Sequence, residues 1–174
     1  MQIEEQIAEL PLFAYGYLPV SEVGFSERVR YICETECPQY GKSWSCPPAV
    51  GTVEECKERV NKYEEVFVFA SLSEVESMDD MQMMLSTRKE HERITRQITD
   101  MFQVIGCETL TLSTESCIQC KHCTYPDAPC RHPEVQFPSV ESYGIMVTEL
   151  AEKCGIPFIQ EYGVITWFSV IVLR

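Results

Sequence analysis

The chain has 174 residues, 45% of them hydrophobic and 24% charged. That suits one domain with its own core and excludes intrinsic disorder as the main state. Against 14 Lys and Arg stand 27 Asp and Glu, a formal charge of -13; such a surface repels phosphate, so nucleic acid and anionic membranes are not expected partners.

Residues 2–10 have the pattern of a short amphipathic helix, which Pro11 ends, and a turn-rich stretch continues to Ser26. Residues 27–32 (Glu-Arg-Val-Arg-Tyr-Ile) alternate polar and apolar, which predicts a strand running into Cys33. Residues 33–51 carry no period and are expected to form a loop. Thr52 and Glu55 have capping-box spacing, and Val53, Cys56, Val60 and Tyr63 then share one helical face.

Residues 66–70 (Val-Phe-Val-Phe-Ala) predict a strand buried on both faces. An acidic link rich in Met follows. Met78, Met81, Met83 and Met84 have helix-start spacing and suit packing or a lid rather than a soft-metal site. The longest helix is expected over residues 84–105, with Ile94, Ile98, Met101, Phe102 and Ile105 in register and Gly106 where a C-terminal cap belongs. His91 is assigned to its charged face.

Residues 107–113 predict another strand, and residues 116–138, with four prolines, a second loop. Ser139 can cap a helix running to Lys153, stopped by Gly155, and residues 164–173 form a last apolar strand. Strands alternating with helices favour a single domain over residues 1–174. Its expected class is α/β (or α+β), a sandwich of helices on a mixed, largely parallel sheet. In such a sheet both cysteine-rich loops would gather at one edge, with the helix starts at Thr52 and Ser139 facing them. No apolar run approaches the ~20 residues of a membrane span. The N-terminus lacks a basic segment followed by an apolar one, so a secretory signal is not expected. The expected location is the cytoplasm, where thiols stay reduced.

The ten cysteines are therefore read as metal or redox residues rather than disulfides. Cys117, Cys120 and Cys123 follow one another at three-residue spacing, and Cys130 comes after six more residues. Three thiolates so spaced wrap around one compact object, as in the bacterial ferredoxin run. That spacing favours an iron–sulfur cluster of the 4Fe-4S type. Zinc is the alternative, because four thiolates satisfy its tetrahedral site. Cys33, Cys37 and Cys46 offer three thiols in a stretch rich in Pro, Gly and aromatic residues, enough for a second cluster with one iron open. Cys130 could instead complete that first site and leave Cys117, Cys120 and Cys123 with the open iron.

Cys56, Cys107 and Cys154 suit core packing, with Cys56 the best candidate for an eighth ligand. His122 and His132 could ligate metal or hydrogen-bond a sulfur, though solvated loop positions explain both. Arg30, Lys42 and Arg131 flank cysteines and could offset cluster charge or bind an anionic substrate, though exposed loop charges explain them as well. No phosphate loop, dinucleotide-binding glycine pattern, nucleophile elbow or His-Glu-x-x-His occurs, which leaves hydrolase and nucleotide readings without support.

At these residues the chain resembles a prokaryotic family of predicted metal-binding proteins of unknown function. The first cluster's Tyr-Gly-x-x-Trp-x-Cys-Pro-Pro is matched by Tyr40, Gly41, Trp44, Cys46, Pro47 and Pro48. The second continues as Cys130, Arg131 and Pro133, then Pro138, Ser139, Glu141 and Gly144. Family members often carry Asp after the Gly-Ile that follows; Met146 stands there in this chain. The resemblance implies metal binding by both clusters and brings no established reaction. The expected function is electron transfer or a redox accessory role, with one or two iron–sulfur clusters and a redox partner protein. An enzyme using an open iron and a zinc-stabilised interaction module are the alternatives; the oligomeric state stays open.

Overall fold

The apolar run at residues 66–70 becomes the middle of a ten-residue strand whose side chains point alternately into two cores. Val66, Val68 and Ala70 face one and Phe67 and Phe69 the other. The protein is described here by a computed structural model covering residues 3–158 and 161–174.

In chain order its elements are α1 (Ile3–Ala8), β1 (Ala14–Pro19), α2 (Glu27–Glu36), α3 (Val53–Val60), β2 (Glu65–Glu74), α4 (Met81–Val104), β3 (Thr109–Leu112), α5 (Val147–Lys153) and β4 (Val164–Leu173). Helix α1 lies within the stretch expected at residues 2–10, whose residue 2 falls outside the described residues. The four strands form one sheet in the order β1-β2-β4-β3, with every neighbouring pair antiparallel.

This overturns the expected largely parallel sheet: the fold is α+β. The physical reason lies in β4. Strands β2 and β3 both run opposite to β4, so they run parallel to each other, joined by α4 as a crossover unit would be. The last strand inserts between them and takes both sets of hydrogen bonds, which splits the unit. Alternation of strands and helices along the chain is compatible with either arrangement.

Two further expectations are corrected. Residues 27–32 are not a strand but the start of α2, whose first turn is capped by Ser26 accepting the Arg28 N–H at 3.2 Å. Val29, Ile32 and Cys33 lie at i, i+3 and i+4, so the segment reads as a helix as readily as a strand. The strand missing from the sequence reading is β1, hidden because Gly16 and Pro19 resemble turn residues; its edge position, with Pro19 as the last residue, tolerates both. Likewise Ser139 does not begin a helix to Lys153. Its hydroxyl accepts the Ser142 N–H at 3.1 Å at a single 3-10 turn over Glu141–Tyr143, and α5 starts afresh at Val147. Gly144 separates the two with a φ of +75°, and a Cβ there would lie 3.0 Å from a Val53 methyl.

The capping box at Thr52 forms as expected, and Gly106 follows α4 with a φ of +96°. One face of the sheet packs on α3, α5 and the 3-10 turn through Cys56, Val60, Leu150 and Tyr143. The other packs on α1 and α4 through Ile7, Ile94, Ile98 and Phe102, with Phe67 and Phe102 meeting edge to face at 5.4 Å. Such ring pairs each add about 0.5–1.5 kcal/mol beyond burial.

His91 belongs to the buried face of α4, not its charged one, because it precedes Ile94 and Ile98 by three and seven positions. Its Nδ1 lies 2.7 Å from the Ser71 hydroxyl and its Nε2 2.8 Å from that of Ser169. Burial pushes its pKa down to about 4, so the ring is neutral between two hydroxyls. No described helix is long and apolar enough to cross a membrane.

Candidate metal centre

Strand β3 ends where the second cysteine loop begins. That loop leaves and returns at one point: the Ser113 N–H donates to the Pro138 carbonyl at 2.8 Å, and the Val140 N–H to the Ser113 carbonyl at 3.0 Å. The first cysteine loop reaches the same place by another route. It leaves a helix, α2, rather than a strand. Cys33 lies near the end of α2 and Cys37 is its C-terminal cap, so the four-residue spacing puts both thiols on one side of the helix.

Side chains of the first loop hold the second. The Cys117 N–H donates to the Ser45 hydroxyl at 2.9 Å, and the Trp44 indole N–H to the Ala128 carbonyl at 3.0 Å. The Trp44 ring meets Tyr125 edge-on at 4.9 Å. Beneath both loops lies Arg88 of α4, only 6% exposed, whose guanidinium donates to the Ser116 carbonyl. Cys46, Cys117, Glu115 and Glu92 act on its charge. Arg88 went unnoticed in the sequence because nothing in helix periodicity marks a buried arginine.

All seven loop cysteines line cavities at this junction. Cys117, Cys120, Cys123 and Cys130 line a small one, together with Ser43, Trp44, Arg131 and His132. Cys33, Cys37 and Cys46 line a second of about 240 Å³, together with Glu115 and Glu141. Among the described residues, no three His, Cys, Asp or Glu side chains form a ready metal-holding group. The donors nevertheless suit a thiophilic metal or cluster, being thiols that converge from two tethered loops.

The electrostatics of these thiols differ. Burial pushes Cys46 up to about 11, the Ser45 hydroxyl opposing and Cys37 and Cys33 adding to the rise. Burial also raises Cys33, helped by Cys37 and Glu141 and opposed by Arg30, and raises Cys117. Cys123 ends below the ordinary thiol range: burial pushes it up, but the backbone N–H groups of Tyr125, Trp44 and Thr124 and the Ser43 hydroxyl outweigh that. Metal binding would therefore have to displace protons against burial at Cys33, Cys46 and Cys117, and the hydrogen bonds to Cys123 favour its thiolate form.

The pattern of the family described as predicted metal-binding protein (DUF2284) matches residues 16–173. The chain belongs to that family. No curated protein and no solved structure matches it. In this member of the family Trp44 ties the two loops together, and Gly144 is the turn that lets the chain pass Val53.

The remaining candidates distribute as follows. Cys56 is fully buried in the α3-side core, hydrogen-bonded by Arg59 at 3.1 Å, and is not among the residues lining either thiol cavity. Cys107 and Cys154 are partly buried against the two cores. His132 lines the small cavity of Cys117, Cys120, Cys123 and Cys130, whereas His122 is exposed and lends its carbonyl to Arg131 at 2.9 Å. Lys42 is exposed. Arg30 is buried and donates to the Gly51 and Ser142 carbonyls at 2.6 Å each, binding α2 to the first loop and the 3-10 turn.

Proposed function

We propose that this protein carries one or two iron–sulfur clusters of the 4Fe-4S type and serves electron transfer, or a redox accessory role, in the cytoplasm. Cys117, Cys120, Cys123 and Cys130 would hold one cluster and Cys33, Cys37 and Cys46 the other. The observation that carries this reading is the gathering of seven thiols from two distant loops at two cavities joined by the Ser45–Cys117 hydrogen bond. A bound cluster supplies one-electron exchange. The chain itself would contribute the thiols, the Trp44–Tyr125 ring contact that braces the two loops, and the Arg88 charge near Cys46 and Cys117. A formal charge of -13 would steer a basic redox partner.

The test is a count of iron, sulfide and zinc on protein prepared without oxygen, read with its electron paramagnetic resonance. About four irons and four sulfides per cluster are expected. Stoichiometric zinc with neither iron nor sulfide overturns the reading and leaves a zinc-stabilised interaction module.

One observation favours a second reading, an enzyme. The three-cysteine cavity shares Ile32, Cys33, Glu115 and Glu141 with a larger neighbouring cavity, so a metal there would border space for a substrate. A resonance spectrum that shifts when candidate substrates are added would support it.

A further inference from the structure

The larger cavity encloses about 420 Å³, within the range of small-molecule sites. Its walls come from four parts of the chain: Val29 of α2, Ile145 before α5, Phe158, and Trp167 and Phe168 of β4. Phe158 stacks on Phe168 with ring centroids 5.6 Å apart and planes 9° from parallel, so one side is an aromatic wall.

The polar groups converge at one end. Glu115 and Glu141 line the cavity there, beside Cys33, and no Lys, Arg or His is among its described lining residues. Arg88 feels the charge of Glu115 but gives its guanidinium to the Ser116 carbonyl instead. Glu115 has a φ of +57°, a left-handed conformation that no other described residue except glycine adopts. For a side chain with a Cβ this conformation is disfavoured, and such residues gather at functional sites when their surroundings hold them. The buried Thr166 hydroxyl in the same lining has no hydrogen-bond partner among the described residues. A buried hydroxyl left unpaired is costly and calls for a polar atom in the cavity.

We infer that this cavity binds a small organic amine in its protonated form, with its apolar body against Phe168, Trp167 and Ile145 and its ammonium at Glu115 and Glu141. Glu115 and Glu141, with no Lys, Arg or His among the described lining residues, favour a positive group over an acid of the same shape, and Glu115 carries the larger share because burial disfavours charge on Glu141. Aromatic faces favour a cation over an anion for the same electrostatic reason. Apolar walls select against a bare metal ion or a strongly hydrated small cation. The inference does not require that the cysteines hold any particular metal.

The test uses the full chain as purified, with metal content measured on the same sample. Phenethylamine, 2-phenylethanol and 3-phenylpropanoate share one apolar body and differ in charge. Calorimetric titration should rank the amine first, the alcohol weaker by about tenfold or more, and the acid weakest. Glu115→Gln should weaken the amine by about tenfold and leave the alcohol unchanged. Thr166→Val, which keeps shape, provides a second variant that should weaken the amine without altering folding. The proposal is overturned if the acid binds as well as the amine, if Glu115→Gln weakens amine and alcohol alike, or if none of the three binds by about 10 mM. The metal count of the sample judges the cluster reading separately, and the Glu115→Gln comparison of amine with alcohol isolates the carboxylate's part of the ranking.

Discussion

The Ser45 hydroxyl accepts the backbone N–H of Cys117 at 2.9 Å, across 72 positions of sequence. Ser45 is fully buried, and its own hydroxyl lies 2.8 Å from that of Ser43. One small side chain thus sets where the second cysteine loop starts relative to the end of the first.

Ser45→Ala should therefore destabilise the protein and loosen the second loop together. It leaves the Cys117 N–H without its acceptor, which costs about 1–3 kcal/mol. Denaturant unfolding measures the loss, and amide exchange of Cys117 should quicken. Unchanged exchange at Cys117 would show that the bond does not hold the loop.

Arg88 makes a comparable link from below. Arg88→Met keeps length and apolar stem but removes the donor to the Ser116 carbonyl and the charge near Cys46 and Cys117. A loss of about 1.5–3 kcal/mol is expected from the charged hydrogen bond. Metal content should fall as well, measured per chain after anaerobic preparation. A variant of wild-type stability and metal content would remove Arg88 from the site.

His91 makes stability depend on pH. Its pKa lies near 4 in the folded chain against an ordinary 6.5. Between those values the unfolded chain binds a proton that the folded one does not, so stability is fully present above pH 6.5 and falls toward pH 4. The loss is about 3 kcal/mol in total. In metal-free protein Glu141 acts oppositely: burial pushes its pKa up to about 7, so its contribution falls as pH rises toward that value. A bulk unfolding curve mixes the two, so the decisive measurement is nuclear magnetic resonance of the His91 ring. Its signals should stay constant above pH 5; a midpoint near 6.5 would contradict the buried neutral ring.

Cys56→Ala separates a packing cysteine from a ligand. The side chain is fully buried beside Val60 and Arg59. Its truncation should cost about 1 kcal/mol in stability. Iron and zinc content should be unchanged, whereas Cys120→Ser should lower it. Metal loss on Cys56→Ala would make it an eighth ligand.

Several local features were legible because they are local physics. The Thr52 capping box, the two-faced burial of β2 and the glycine ending α4 each depend on residues within a turn or two. The second cysteine-rich loop was legible for the same reason, since proline density is a short-range pattern, whereas residues 33–36 of the first expected loop belong to α2. Residues 27–32 were misread because six residues satisfy both a two-residue and a 3.6-residue period. His91 was misplaced because its neighbours along α4 are charged while its partners, Ser71 and Ser169, lie on other strands.

What the sequence determined by itself is the chemistry available: ten thiols, seven of them in two clusters, on an acidic chain with one domain's worth of apolar residues. The tertiary structure alone decided strand direction, because inserting β4 between β2 and β3 is a pairing of distant segments that no local pattern encodes. It also decided that Ser45 and Trp44 hold the two loops together, that Arg88 ties α4 to the second loop, and that Glu115 and Glu141 stand where the cavity of Cys33, Cys37 and Cys46 meets the larger one. Side-chain chemistry is carried by each residue, whereas proximity between residues far apart in the chain exists only once the sheet and its helices have closed around one core.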